Sequence, residues 1–125
     1  IPGIFEPVKM YGTTFVDGGV IDGVPVNIAK EYHPKYIIAV KITQFDTTVV
    51  LKSRKKVVLR GYDVASHYAN KESISLANII IQPNLKGLSL MGGKDNEKIY
   101  KLGIIAAKEM LPEIRSELKK RNILK

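Results

Sequence analysis

Asp17-Gly18-Gly19 is the stretch whose residue types and order best suit chemistry. A β-branched and aromatic run, Thr13-Thr14-Phe15-Val16, leads directly into an acid and two glycines; Val20-Ile21, Asp22-Gly23 and Val24-Pro25 follow. Such a run favours a strand, which puts the Asp17 carboxylate at the strand's carboxyl end, where open α/β sheets build their active sites. On this reading Asp17 is an acid-base residue, and Gly18 and Gly19 are the supporting turn. Glycine there permits φ > 0 and close approach of another segment. The plainer reading is a structural turn, because Asp tolerates turn geometry and Gly supplies positive φ.

The other chemically capable residues compete weakly. The chain has no Cys, which removes disulfides, thiolate nucleophiles and Cys-based zinc sites and fits a reducing, cytoplasmic setting. Its two His, His33 and His67, lie far apart without an HExxH pattern, so no metal site is expected. Gly87-Leu88-Ser89-Leu90-Met91-Gly92-Gly93-Lys94 nearly spells a phosphate-binding loop. The pattern requires Lys directly after the second Gly and then Ser or Thr; here Gly93 intrudes and Asp95, an acid that repels phosphate, follows.

The elements that must hold Asp17 can be read along the chain. Pro2, Gly3 and Pro7 forbid regular structure over residues 1–8, with Ile4, Phe5 and Val8 expected to pack inward. Tyr11-Gly12 turns into the strand at residues 13–16. Pro25 suits the first position of a short helix reaching about Glu31, and His33-Pro34 breaks it. Tyr36 to Ile42 is a strand with five consecutive apolar or aromatic residues, the pattern of a strand covered on both faces. Residues 43–52 have no clear assignment. A helix from Arg54 to Asn70 has Val58, Tyr62, Ala65 and Ala69 at helical spacing, which predicts a buried face. Tyr62, His67 and Tyr68 on this helix read as packing or edge residues. Lys52, Arg54, Lys55 and Lys56 sit near its start, against the helix dipole, and read as a solvated face or as a surface for an anion or a membrane. Leu76 to Ile81, apolar apart from Asn78, is a second short strand, ended by Gln82-Pro83. Asp95 is positioned to cap a long helix with Ile99, Leu102, Ala106 and Met110 as its inner stripe. Pro112 ends or kinks that helix, and a basic amphipathic segment runs on to Arg121.

Strands alternating with helices point to an α/β fold with a mainly parallel sheet and helices on both faces. Three strands are few for such a sheet, so the 125 residues read as part of a larger layer. Composition agrees with one ordinary globular domain: 45% hydrophobic and 26% charged residues. No apolar run approaches the roughly 20 residues of a membrane span. A net charge of +8 suits anionic partners, whether lipid surfaces or nucleic acid, or simple solubility. No RNA-binding or zinc-finger signature supports nucleic-acid readout.

Ile1-Pro2-Gly3-Ile4-Phe5 with Pro7-Val8, then Phe15-Val16-Asp17-Gly18-Gly19-Val20 and Val24-Pro25-Val26, resemble the carboxyl-terminal half of a bacterial-type patatin-like phospholipase domain. The Ile37-Ile38-Ala39-Val40 and Ile79-Ile80-Ile81-Gln82-Pro83 strands and the 97–107 helix follow in the same order, so the resemblance covers nearly the whole chain, read as 1–125 of one domain, and is most specific over residues 1–26. Gly23 departs from it, standing where Asn is common before Val-Pro. The resemblance implies a three-layer α/β/α sandwich and a lipid acyl hydrolase, a phospholipase or carboxylic ester hydrolase working through a Ser–Asp dyad without metal or cofactor. Asp17 matches the dyad Asp. The implied Ser lies in a Gly-x-Ser-x-Gly elbow, and a Gly-rich segment supplies the oxyanion hole; neither is in this sequence. Ser53, Ser66, Ser73, Ser75, Ser89 and Ser116 lack that context and are not nucleophile candidates. The implied partners are the amino-terminal half of the same domain, a lipid or ester substrate and a membrane touched peripherally; alone, this half is expected to be inactive. The alternative is a non-catalytic α/β module, or a pseudoenzyme, binding anionic partners through its basic surface.

Overall fold

A computed structural model describes residues 4–124 apart from residues 44, 46, 47, 49 and 91 and the side chain of Lys55. The fold is mixed α/β with two small two-stranded sheets, one antiparallel and one parallel. The Ile1-Pro2-Gly3 part of the resemblance lies outside the described residues.

The first sheet is a hairpin of β1 (Val8–Met10) and β2 (Thr13–Phe15), paired with Val8 opposite Phe15 and Met10 opposite Thr13. The two-residue loop between them, Tyr11-Gly12, has φ of 53° and 74°. Two consecutive positive φ values give the turn whose twist suits a tight hairpin. From its sequence Val8 is expected in an irregular, inward-packing segment. Instead it starts a strand directly after Pro7, where proline's missing N–H removes nothing from the ladder, and Phe5 and Val8 are exposed. The strand leading into Asp17 therefore belongs to an antiparallel hairpin, not to the parallel sheet.

A single 3-10 turn (Gly18–Val20) follows β2, and then α1 (Val26–Glu31). The second sheet pairs β3 (Ile38–Val40) in parallel with β4 (Ile79–Ile81), connected by α2 (Arg54–Ser75). Parallel strands need such a crossover. The helix runs five residues beyond its expected end because Leu76 and Ala77 donate to the Ser73 and Ile74 carbonyls, closing the last turn and shortening the strand that follows. Asn78 Oδ1 accepts from Ile37 N–H at 2.8 Å, and Gln82 Nε2 donates to the Thr43 carbonyl at 3.3 Å, fastening both ends of the strand pair.

The third helix, α3, is continuous from Asn96 to Lys120. Pro112 neither ends it nor starts a separate segment. Ile114 is its buried residue, packed with Ile79 and Ile81 among Tyr36, Ala106, Ala107, Met110 and Leu118. The two isoleucines are two residues apart and so share a face of β4, and this cluster anchors α3 to the sheet. Lys119 and Lys120 in the last turn complement the helix dipole.

The continuous apolar runs predicted strands covered on both faces, and here the outcome differs. Ala39 is buried, but Ile38 and Val40 remain 45% and 53% exposed. Coverage by α3 reaches β4 and stops short of β3. Among the described residues the parallel sheet is thus present in part, as one two-stranded pair with α3 against one face. Among the described residues no helix is long and apolar enough to cross a membrane.

Candidate functional site

Asp17 lies two residues beyond β2, with extended backbone (φ −56°, ψ 123°) at the head of the 3-10 turn. Its Oδ1 accepts the Gly19 N–H at 2.8 Å. An aspartate turning back onto the amide two residues on is a local device that competes with regular structure and ends a strand. The side chain is exposed. The Gly19 N–H, bonding to the charged form, holds the Asp17 carboxyl below its ordinary value. Asp17 is therefore ionised at neutral pH and weakly basic, whereas burial would have raised its basicity.

The two glycines divide the work unequally. Neither takes a positive φ, so conformational freedom explains neither. A side chain at Gly18 would enter open space. One at Gly19 would put its Cβ 3.1 Å from Asp17 Oδ1 and 3.2 Å from the Tyr62 hydroxyl. Gly19 is thus the position where close approach requires glycine, and the segment that approaches is α2.

That helix meets the turn with a polar stripe. Tyr62, Ser66, Asn70 and Ser73 recur three to four residues apart, which places them on one side of a helix. Ser66 Oγ donates to the Gly19 carbonyl at 2.7 Å. Asn70 Oδ1 accepts from the Gly23 N–H and, at 3.2 Å, from the Val24 N–H. Its amide nitrogen donates to the Ser66 carbonyl at 2.5 Å, which orients the side chain. Ser73 Oγ accepts from the N–H groups of Val26 and Asn27 at 3.0 and 3.2 Å. Both belong to the first turn of α1; the Val26 N–H is shared with the Val24 carbonyl at 2.8 Å, and Pro25, preceding that turn, has no side chain able to accept from either. Ser73 thus caps α1 from another helix. Its one proton can be given to Asn27 Oδ1 at 3.0 Å, the Val24 carbonyl at 3.1 Å or Asp22 Oδ2 at 3.3 Å. Asp22 Oδ1 is buried without a hydrogen-bond partner among the described residues.

Sequence reading expected the inner face of this helix to be Val58, Tyr62, Ala65 and Ala69. Of these, only Tyr62 turns inward; Val58 is 71% exposed, and both alanines are exposed. Asn70 and Ser73 are buried alongside Ile74 because the surface opposite the two polar residues is loop backbone, which needs partners for its N–H and C=O groups. The signal that could have revealed them is Ser66, Asn70 and Ser73 at helical spacing, read as an inward row.

Tyr62 is half-buried, and its phenol is pushed up first by burial, then by the Asp17 and Asp63 charges. Neutral at physiological pH, it presents a hydroxyl near the Asp17 carboxylate. His67 stacks on Phe45 with ring centroids 4.3 Å apart, and Tyr68 meets His67 edge-on at 5.4 Å. These two take the packing role read from the sequence. In the glycine-rich loop, Asp95 Oδ2 accepts the Ser89 N–H at 2.8 Å. The acid bonds this loop backbone instead of capping α3. Among the described residues no three His, Asp or Glu side chains gather in a group that could hold a metal ion.

No protein-family model matches the chain. The site consists of one ionised carboxylate on an exposed turn, a phenol beside it, and a hydrogen-bonded clasp fixing the turn to α2. It can accept a proton and orient a hydroxyl.

Proposed function

We propose that this chain is the Asp-bearing, carboxyl-terminal half of a patatin-like lipid acyl hydrolase domain, with Asp17 as the base of a Ser–Asp dyad. The observation that carries the reading is the Asp17 turn itself. An exposed, ionised carboxylate stands just past a strand end, on a backbone held by Ser66, Asn70 and Ser73 of α2. A site needs that kind of fixation, since small displacements of a catalytic group are costly. Ile38 and Val40, uncovered on β3, leave an apolar sheet face for a further layer, which supports a three-layer sandwich completed by the amino-terminal half of the domain.

In this mechanism a serine hydroxyl from that half attacks the acyl carbonyl carbon of the ester. The Asp17 carboxylate takes the hydroxyl proton as the carbon–oxygen bond forms. The proton passes to the leaving alcohol when the tetrahedral intermediate collapses to an acyl-enzyme. Water then attacks the acyl-enzyme, Asp17 again takes a proton, and returns it to the serine. A carboxylate below its ordinary pKa is a weak base, so oxyanion donors must supply the larger share of the stabilisation, about 3 kcal/mol each.

The test is Asp17→Asn in the intact protein, assayed against phospholipid and short-chain esters. Loss of at least a hundredfold in kcat is expected, with the circular dichroism spectrum unchanged. Hydrolysis persisting at the wild-type rate would end the assignment.

A further inference from the structure

The start of α2 and the residues before it combine two features that water does not reward. Lys52, Arg54 and Lys56 are exposed and form no ion pair among the described residues. Between them and beside them, Val50 is 64% exposed, Leu51 44%, Val57 51% and Val58 71%. From residue 47 to residue 62 the sequence holds no Asp or Glu, so this is a cationic surface studded with aliphatic side chains.

The patch also has a place relative to the site. Val58 is one helical turn before Tyr62 on the same side of α2, and Tyr62 lies beside the Asp17 turn. The row therefore runs from the polar clasp, past Tyr62, onto exposed Val58, with Val57 next to it.

We propose that residues 50–58 dock the protein on an anionic lipid surface, with the valines entering the headgroup boundary and the cations meeting lipid charge, so that the bilayer lies against the Asp17 turn. Charge complementarity selects this occupant. A purely apolar partner would leave three cations desolvated, whereas an anionic interface takes cations and aliphatic side chains together, as amphipathic surface segments do. This inference deepens the lipid acyl hydrolase reading and rests on it for what the docked lipid is used for.

The experiment is flotation of the intact protein with vesicles of phosphatidylcholine alone and of phosphatidylcholine mixed with phosphatidylglycerol, alongside hydrolysis of a soluble short-chain ester. Wild type is expected on the mixed vesicles and not on the neutral ones, with binding lost at high salt. Each cation near an anionic surface contributes roughly fivefold, so Lys52→Gln, Arg54→Gln and Lys56→Gln together should lower partitioning by about a hundredfold. Val57→Ser with Val58→Ser should lower it several-fold while soluble-ester hydrolysis stays at the wild-type rate. Equal binding to both vesicle types, no binding to either, or undiminished binding of the triple variant would overturn docking. So would unfolding of the valine variant, which would make this face a packing surface. If docking fails while soluble esters are still cleaved, the hydrolase reading stands without it. If vesicles bind and no ester is cleaved, the hydrolase reading falls and a lipid-binding surface remains.

Discussion

Removing Asn70 should loosen the Gly23-Val24 backbone that follows the Asp17 turn. This side chain is buried, and its Oδ1 is the acceptor for two successive backbone N–H groups, Gly23 and Val24. With Asn70→Ala both lose their protein partner. An unsatisfied buried donor costs about 1–3 kcal/mol. Gly23 is exposed, so water can replace its lost bond, and Val24, half-buried, bears most of the penalty. The expected loss is about 2 kcal/mol, close to a thirtyfold change in the folded-to-unfolded ratio. Urea unfolding measures it, with an unchanged dependence on denaturant concentration showing that the loss lies in the native state. Asn70→Leu separates the hydrogen bonds from the volume: it fills the space, offers no acceptor, and should lose about as much as the alanine variant. Amide hydrogen exchange supplies the local readout, with Gly23 and Val24 exchanging faster in both. A stability change under about 0.5 kcal/mol, the range of an ordinary surface substitution, together with unaltered exchange at the two amides, would refute the idea that α2 holds this backbone.

Further outcomes follow from the same geometry. Asp17 should titrate below the ordinary carboxylate value, because the Gly19 N–H favours its charged form; a carboxyl-detected NMR titration reads this directly. Its folded pKa is lowered, so its contribution to stability is present above the unfolded value of about 3.9 and fades as pH falls through the folded one. The difference in urea midpoint between wild type and Asp17→Ala should accordingly shrink under acid conditions and stay constant at neutral pH. Tyr62 should ionise above the ordinary tyrosine range, with burial as the main cause and the Asp17 charge second. In Asp17→Asn its titration, followed by ultraviolet absorbance, should move back towards the ordinary value without reaching it. Gly19→Ala forces a methyl between Asp17 and Tyr62 and should cost about 1 kcal/mol or more, whereas the same change at Gly18 meets nothing and should cost less than about 0.5 kcal/mol.

The sequence disclosed the elements more fully than their faces. Ile37 to Val40 and Ile79 to Ile81 are legible because short apolar runs rich in β-branched residues suit a buried parallel strand, and the residues between them supply the required helix. Strand β1 stayed hidden behind Pro7, and its turn, Tyr11-Gly12, has no Asn-Gly or Asp-Gly signature even though both residues take positive φ. Asp17 could be found because an acid between a β-branched run and two glycines is conspicuous. Its clasp could not, because apolar periodicity was the guide and the inward row of α2 is serine and asparagine. Serine on a helix points outward far more often than inward, and what reverses it here is loop backbone some 47 residues away in sequence. Pro112 misled for a related reason: tertiary packing of Ile114, Ala106, Ala107, Met110 and Leu118 carries α3 across a residue whose local preference is to stop it.

The bonds fastening the Asp17 turn to α2 join residues 46 to 51 positions apart. The β1–β2 hairpin, by contrast, closes over two residues and forms within microseconds. Closing a loop of the longer size costs chain entropy that no local contact returns, so the clasp should form late, after the hairpin and helices exist. Interactions made after the transition state leave the folding rate nearly untouched and govern how fast the native chain comes apart. Ser66, Asn70 and Ser73 therefore set the lifetime of the arrangement around Asp17: a chain lacking them should reach its native form on schedule and lose it sooner.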